Sequence, residues 1–367
     1  MISEIGLNNF KCFEELTLPM KNITVLTGIN GMGKSTIIQS ILLLRQSYLK
    51  SDKLITLHLN GRYIDLGIGQ DVLYEKATVE EVSIRYKTIE GGRGVYRYKY
   101  DADSNCLPAI PLQMSMNVGP LPAFLRDNFV YLSAYRIKPQ LMYGITNEEE
   151  LLNREFGSDG QFALQYLGMY GDEDVANDNV VIEDKLGKSL KNQTRVWLDR
   201  IAPGVSPQIY ISKPTRTSEL RYEFVEGKEK TGSYKSVNVG FGITYVLPII
   251  VALLSAKQGD LIIIENPEAH IHPAGQRMLG ELIALAGGGG VQVIVETHSD
   301  HILNGIRVSV KQKKIACEDV QVAFFYKDAE ADYKHKYCTP CILEDGRFDF
   351  WPQGFFDEWD KALYELI

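Results

Sequence analysis

Hydrophobic and polar residues change their period several times along the chain, and each change predicts an element. Residues 2–18 alternate and stop at Pro19, which predicts an opening pair of strands. Ile23–Thr27 is a short continuous apolar run and predicts a buried strand. After a glycine-rich turn, Ile37, Ile38, Ile41, Leu42 and Leu44 recur with helical spacing. Residues 82–87 and 95–100 alternate around EGGRG and read as a hairpin, and 129–133 reads as a further strand. Residues 145–210 differ: the acidic patch Glu148–Glu150 and helical runs near 160–168 and 184–202 predict a mostly helical insertion. A second hairpin is expected across 219–238, around GKEKTG. The apolar α/β pattern returns at 241–309, and 320–367 reads as short strands and a final helix from about Phe356. With no repeat and no sustained heptad, no long coiled coil is expected.

The 367 residues suit one large α/β domain with an insertion, or two modest domains, and a hydrophobic fraction of 45% supports a sizeable core. The longest apolar stretches, Leu247–Leu254 and Ile262–Ile264, are too short to cross a bilayer. The opening residues MISEIGLNNF show no basic region followed by an apolar block, so the expected location is cytoplasmic, away from membranes. Five scattered cysteines argue for reduced thiols, and the lone Cys338–Cys341 C-x-x-C reads as a thiol pair rather than a zinc site. A net charge of −8 excludes a uniformly basic coat but leaves room for a local basic groove. Arg85, Arg93, Arg97 and Lys99 interleave with tyrosines; the solvated face of a hairpin is favoured over a nucleic-acid surface. Arg136, beside Tyr135 and Lys138, stays open between the two.

Residues 28–35, GINGMGKS, match G-x-x-x-x-G-K-[ST] at every fixed position, between an apolar strand and an apolar helix. Gly28, Gly31 and Gly33 allow the backbone to take positive φ and approach a phosphate closely. Successive N–H groups then form an anion nest at a helix start. Lys34 is expected on the β- and γ-phosphates and the Ser35 hydroxyl on Mg²⁺.

Residues 261–273, LIIIENPEAHIHP, put four apolar residues before Glu265, as in a central strand delivering a carboxylate to its C-terminal edge. Val291–Val295 likewise precedes Glu296, Thr297 and His298. About 230 residues separate Lys34 from Glu265, far more than a compact nucleotide-binding domain needs. Just before the acidic strand, NVGFGITYVLPIIVALL sets Gly240 and Gly242 ahead of a helical run, expected to bend at Pro248 or to begin late. The order is glycine turn, helix, acidic strand, then Thr-His-Ser.

NNFKCFEELTL, GINGMGKST, NVGFG, ENPEAHIHP and ETHSDHI together resemble the RecF/SMC/OLD-like ABC-type ATPases of bacteria, over roughly residues 1–75 and 235–310. A subgroup with ENPEAHLHP-like text and a C-terminal WPxGFFDE-like motif is closer still; that motif is here Trp351, Pro352, Gly354, Phe355, Phe356, Asp357 and Glu358. The resemblance implies an α/β ABC-type P-loop head with a mixed central sheet, an antiparallel β subregion and a helical insertion. It divides the chain into 1–75, the first part of the head; 76–234, hairpin and insertion; 235–310, the second part; and 311–367, a small C-terminal region. It implies ATP and Mg²⁺ as ligands, with Gly28, Asn30, Gly31, Gly33, Lys34, Ser35 and Thr36 as the phosphate loop. Glu265 takes the place of the usual Mg²⁺-binding aspartate, and Gln70 in LGIGQD is the Q-loop residue and a further metal ligand. Asn238, Gly240 and Gly242 form the signature turn that acts on the opposite subunit's nucleotide, and His298 is the switch histidine.

One position departs from the family. The usual Asp-Glu pair is Glu265-Asn266 here, and an amide cannot take a proton. Glu268 is either the replacement base or the cap of the turn after Pro267. The resemblance therefore implies a homodimer around ATP that serves a partner effector or nucleic acid, in a group that recurs in antiphage defence and DNA repair. Slow turnover, a non-hydrolysing nucleotide sensor and, last, an OLD-like nuclease are the readings in play.

Overall fold

The opening alternation becomes a meander, as its period dictates. In the computed structural model, which describes every residue except 111–114, 128, 183–185, 227–228, 329–333 and 367, Ile2–Phe10 pairs antiparallel with Phe13–Pro19 on one side and Glu81–Thr88 on the other. Arg93–Lys99 and Ser115–Val118 extend that sheet to five strands. One face carries Ile5, Leu7, Val82, Ile84, Tyr86, Tyr96 and Tyr98, all buried. The hairpin tyrosines are thus core residues, while Lys87, Arg93 and Lys99 point to solvent. Strand alternation sends neighbours to opposite faces, so cations and rings that interleave in sequence do not share a surface. Arg85 bonds to Asn8 and, at 2.6 Å, to Thr17, across the strands.

The chain divides into two compact units: residues 1–127, 321–340 and 350–367, and residues 128–320 and 341–349. The first holds the meander, the strand Ile23–Gly28, the helix Lys34–Lys50 and the antiparallel pair Val320–Asp328 with Lys334–Cys338. That helix buries Ile37, Ile38, Ile41, Leu42 and Leu44, the stripe read from its sequence.

The second unit is built on three parallel strands, Phe129–Leu132, Leu261–Glu265 and Gln292–Glu296, with Ile262 opposite both Val130 and Val293. Strands buried on both faces read as continuous apolar runs, as these do. The helices Phe241–Ser255, Pro273–Gly288 and Asp300–Lys311 follow the sequence pattern. The last two cross closely, because a Cβ on Gly280 would meet the Ile302 carbonyl at 2.2 Å. The helix Phe241–Ser255 runs through Pro248 from the glycine turn onward, rather than beginning after it.

The expected insertion forms the helices Glu148–Leu152, Phe162–Tyr170 and Leu190–Ile201. Its last part is a strand instead, since Val205–Ser212 pairs along Thr217–Glu226. The second hairpin is real but is one edge of this antiparallel sheet, with Tyr234–Lys235 on Thr217–Glu226. Residues 183–185, where the third helix was expected to start, and 227–228, in the hairpin's turn, lie outside the described residues. The longest described helix has 17 residues, so no long coiled coil exists among them. The final helix is Glu358–Leu366.

Candidate functional site

The phosphate loop forms where the buried strand Ile23–Gly28 hands over to its helix. Gly28, Gly31 and Gly33 have φ of 133°, 78° and 96°, the region L side chains avoid. A Cβ on Gly28 would lie 2.2 Å from the Phe325 carbonyl, and one on Gly33 2.6 Å from the Phe13 ring. Glycine is therefore required twice, by conformation and by room. Gly33 caps the helix Lys34–Lys50, leaving its first N–H groups facing the loop. Lys34 is 3% exposed, and its ammonium donates to the Gly28 and Ile29 carbonyls, both at 2.9 Å. Ser35 is half-buried, Thr36 buried and Asn30 exposed. A helix start with a nest of N–H groups and one buried ammonium fits a polyphosphate.

Three further groups surround this loop. Lys11 donates to Gln39 at 2.9 Å, and the Cys12 thiol lies 3.8 Å from the Thr36 hydroxyl. His335, from the strand Lys334–Cys338, sets Nε2 3.2 Å from the Gly31 carbonyl and its ring edge-on to Phe13. Burial pulls the His335 imidazole below its ordinary value, and Lys327 adds to the shift. Nothing in the sequence pointed to His335, which is 304 residues from its partner. Gln70 is exposed in the short helix Gly69–Asp71, and the neighbouring Asp71 carboxylate is taken up by the Ile68 N–H at 3.0 Å. The C-terminal motif splits in two: Phe355 is fully buried against Phe324, while Trp351 is 47% exposed.

In the second unit the acidic residues gather at the ends of the parallel strands. Glu265 is half-buried, and its Oε2 accepts from the Ala134 N–H at 3.1 Å and its carboxylate from the Tyr131 hydroxyl. Burial pushes this carboxyl above the usual range, against the opposing pull of those two donors and of Arg136. Asn266 has φ 45°, a left-handed position that asparagine tolerates better than most residues. Its N–H donates to the Glu296 carbonyl at 2.8 Å.

Glu268 has a definite task. Its Oε2 accepts from the Thr297 hydroxyl at 2.7 Å and its Oε1 from the His298 N–H at 2.8 Å. The carboxylate thus ties the turn after Leu261–Glu265 to Thr297 and His298, 29 and 30 residues further on. His298 itself is exposed.

The glycine turn lies against the same loop. Asn238 and Gly240 are exposed, and a Cβ on Gly242 would meet the His270 carbonyl at 2.0 Å. Phe241 packs on His270 at a tilt of 59°, with ring centroids 4.7 Å apart. A cavity of about 580 Å³ opens beside the turn, bounded by Arg200, Gly240, Gly242, His270 and His272. Arg136 is buried, so it is no nucleic-acid contact; Tyr135 beside it is 90% exposed.

Two families described as ATPase domains match separate parts of the chain: "AAA ATPase domain" over residues 1–99, and "AAA domain, putative AbiEii toxin, Type IV TA system" over residues 165–304. A third, "Protein of unknown function (DUF3696)", matches residues 315–366. An OLD nuclease from Thermus scotoductus is 23% identical over 328 residues. The alignment takes in 82% of this chain and 59% of that protein, so the chain spans about three-fifths of its relative's length. Among solved structures, an Smc head bound to the C-winged helix domain of ScpA superposes with a TM-score of 0.51 at 14% identity, covering 93% of this chain and 98% of that one. An Smc head with an extended coiled coil, bound to the C-terminal domain of ScpA from Pyrococcus furiosus, gives 0.51 and 14% over 100% and 99%.

The fold is a mixed α/β one that resembles SMC ATPase heads. The ATPase-domain families and the OLD nuclease relative, taken with that fold, support a RecF/SMC/OLD-like ATPase.

Proposed function

We propose that the chain is an ATP-dependent switch: two copies close around ATP and Mg²⁺, turn it over slowly, and pass the closed state to an effector protein or to nucleic acid. The glycine cradle Gly28–Gly33 around the buried Lys34 carries this reading. Its N–H groups and the Lys34 ammonium hold the phosphates, with Asn30 and Thr36 beside them. Ser35, Glu265 and Gln70 would hold Mg²⁺, which would neutralise phosphate charge when bound. What supports Glu265 is the motif order and its place at a strand end.

Asn266 stands where related heads carry their base, and it orients the attacking water without taking its proton. Glu268 already accepts two hydrogen bonds, and its role is to hold His298 in place. Asn238, Gly240 and Gly242 reach the partner subunit's nucleotide through the exposed start of their helix. A second reading, a clamp that binds ATP without hydrolysing it, is favoured by Asn266 and by the engaged Glu268. Among the described residues no helix is long and apolar enough to cross a membrane.

The test is the full chain with ATP and Mg²⁺, assayed for oligomer size and phosphate release. Wild type is expected to dimerise only with ATP and to release phosphate slowly, whereas Lys34→Ala binds no nucleotide and stays monomeric. Dimerisation that ignores ATP, or ATP binding that survives Lys34→Ala, overturns the proposal. Faster turnover in Asn266→Glu supports the slow-switch reading; phosphate release at background in wild type favours the clamp.

A further inference from the structure

Arg136 is the most deeply buried guanidinium near the acidic strand end, at 6% exposure. Its Nη1 donates to the Ser133 carbonyl at 2.8 Å and to the Glu265 carbonyl at 2.6 Å. Its Nη2 donates to the Asn266 carbonyl at 2.6 Å. The guanidinium carbon sits 4.1 Å from the centroid of the Tyr245 ring. Taking such a cation from water is costly unless its donors are used, and these bonds go to main chain and a ring. Burial lowers its pKa to about 10, which leaves it charged at neutral pH.

The partners of Arg136 connect two regions. Tyr245 belongs to the first turns of the helix that leaves Gly240, and its hydroxyl donates to the Ala134 carbonyl. The Ala134 N–H holds the Glu265 carboxylate. His270 lies edge-on to Tyr245 at 5.4 Å and under Phe241 at 4.7 Å. One chain of ring contacts thus runs from the glycine turn, through Phe241, His270 and Tyr245, to the guanidinium that grips the Glu265 and Asn266 carbonyls. A lysine ammonium has three donors but neither the fixed fork nor the planar face of a guanidinium, so it cannot meet these carbonyls and also lie flat on the ring.

We infer that Arg136 is a positioning residue that couples the glycine turn to the Glu265–Asn266 strand end, so that a shift at either is transmitted to the other. What the two ends do in catalysis rests on the function proposed above; the mechanical joint does not. In an ATP-closed pair, the joint would link the nucleotide that Glu265 serves to the one that the glycine turn caps. Both would then respond together.

The experiment uses the full chain and its Arg136→Lys, Tyr245→Phe and Tyr245→Leu variants. Hydrogen exchange without nucleotide reads the joint directly. Arg136→Lys is expected to speed exchange about tenfold in both 238–246 and 264–271, with 81–99 unchanged, because one well-made hydrogen bond to a charged group is worth roughly that factor. Tyr245→Leu is expected to do the same, and Tyr245→Phe, which keeps the ring, to do less. With ATP, Arg136→Lys should lower kcat by about 10²-fold, the loss typical of misplaced reacting groups, while KM and nucleotide affinity stay within about threefold. Faster exchange in one segment alone, or equally throughout the chain, overturns the coupling. Should Arg136→Lys melt too early to measure, Tyr245→Phe and Tyr245→Leu decide the matter on the same two segments. If wild type binds no nucleotide, the proposed function fails, while the exchange result still stands for or against the joint.

Discussion

Replacing Glu268 by glutamine separates two chemical roles that one carboxylate could play. Its two oxygens accept from the Thr297 hydroxyl, which is fully buried, and from the His298 N–H, at 2.7 and 2.8 Å. Glutamine has the same shape. Its oxygen can keep the His298 N–H, and its amide group can donate to the Thr297 oxygen, which already accepts from the Ser299 N–H at 3.0 Å. Both contacts survive, but neither is charge-assisted. Hydrogen bonds to charged groups are worth about 1.5–3 kcal/mol against about 0.5–1.5 for neutral ones, so each bond loses about 1–1.5 kcal/mol and the pair about 2–3 kcal/mol. If all of it falls on the transition state, turnover drops about 30- to 150-fold. Loss of a general base costs about 10²–10⁴-fold instead. Phosphate release at saturating ATP and Mg²⁺, with ATP affinity and melting temperature on the same samples, distinguishes the two. A fall in kcat beyond about 10³-fold, with affinity and melting unchanged, would refute the tethering role and make Glu268 the base.

Two other outcomes follow from burial. The raised pKa of Glu265 means the native state resists its ionisation more than the unfolded chain does, so this group's contribution falls as pH rises above the ordinary carboxylate value. Glu265→Gln is therefore expected to melt above wild type at pH 8 without Mg²⁺, with the gap closing toward pH 4; a gap that widens on acidification contradicts this. The Asp260 carboxylate, 1% exposed, accepts from the Lys257 N–H at 2.6 Å and is paired with Arg154. Arg154→Met leaves that charge uncompensated and should cost about 3–5 kcal/mol in urea unfolding at unchanged m; a loss under about 1 kcal/mol would show the pair to be dispensable.

The features legible in the sequence are those whose causes lie within a few residues. The GINGMGKS loop is one: its glycines, its buried strand and its helix start are neighbours, so eight residues specify a cradle whose φ values the structure repeats. The apolar run before Glu265 likewise announces a buried strand and places the carboxylate at its end. Helical spacing foretold the stripe on Lys34–Lys50. Tertiary structure decided what depends on partners far along the chain. Arg136 looked like any cation beside a tyrosine until three carbonyls, two of them 129 and 130 residues away, took up its donors. Glu268 became a clamp only because the strand Gln292–Glu296 lies beside Leu261–Glu265 and brings Thr297 and His298 to it. His335 reached Gly31 through the pairing of Lys334–Cys338 with Val320–Asp328. Local conformation follows from sterics and period, which a sequence displays; burial of a charge and the partner it finds are set by packing between strands, which no local pattern encodes.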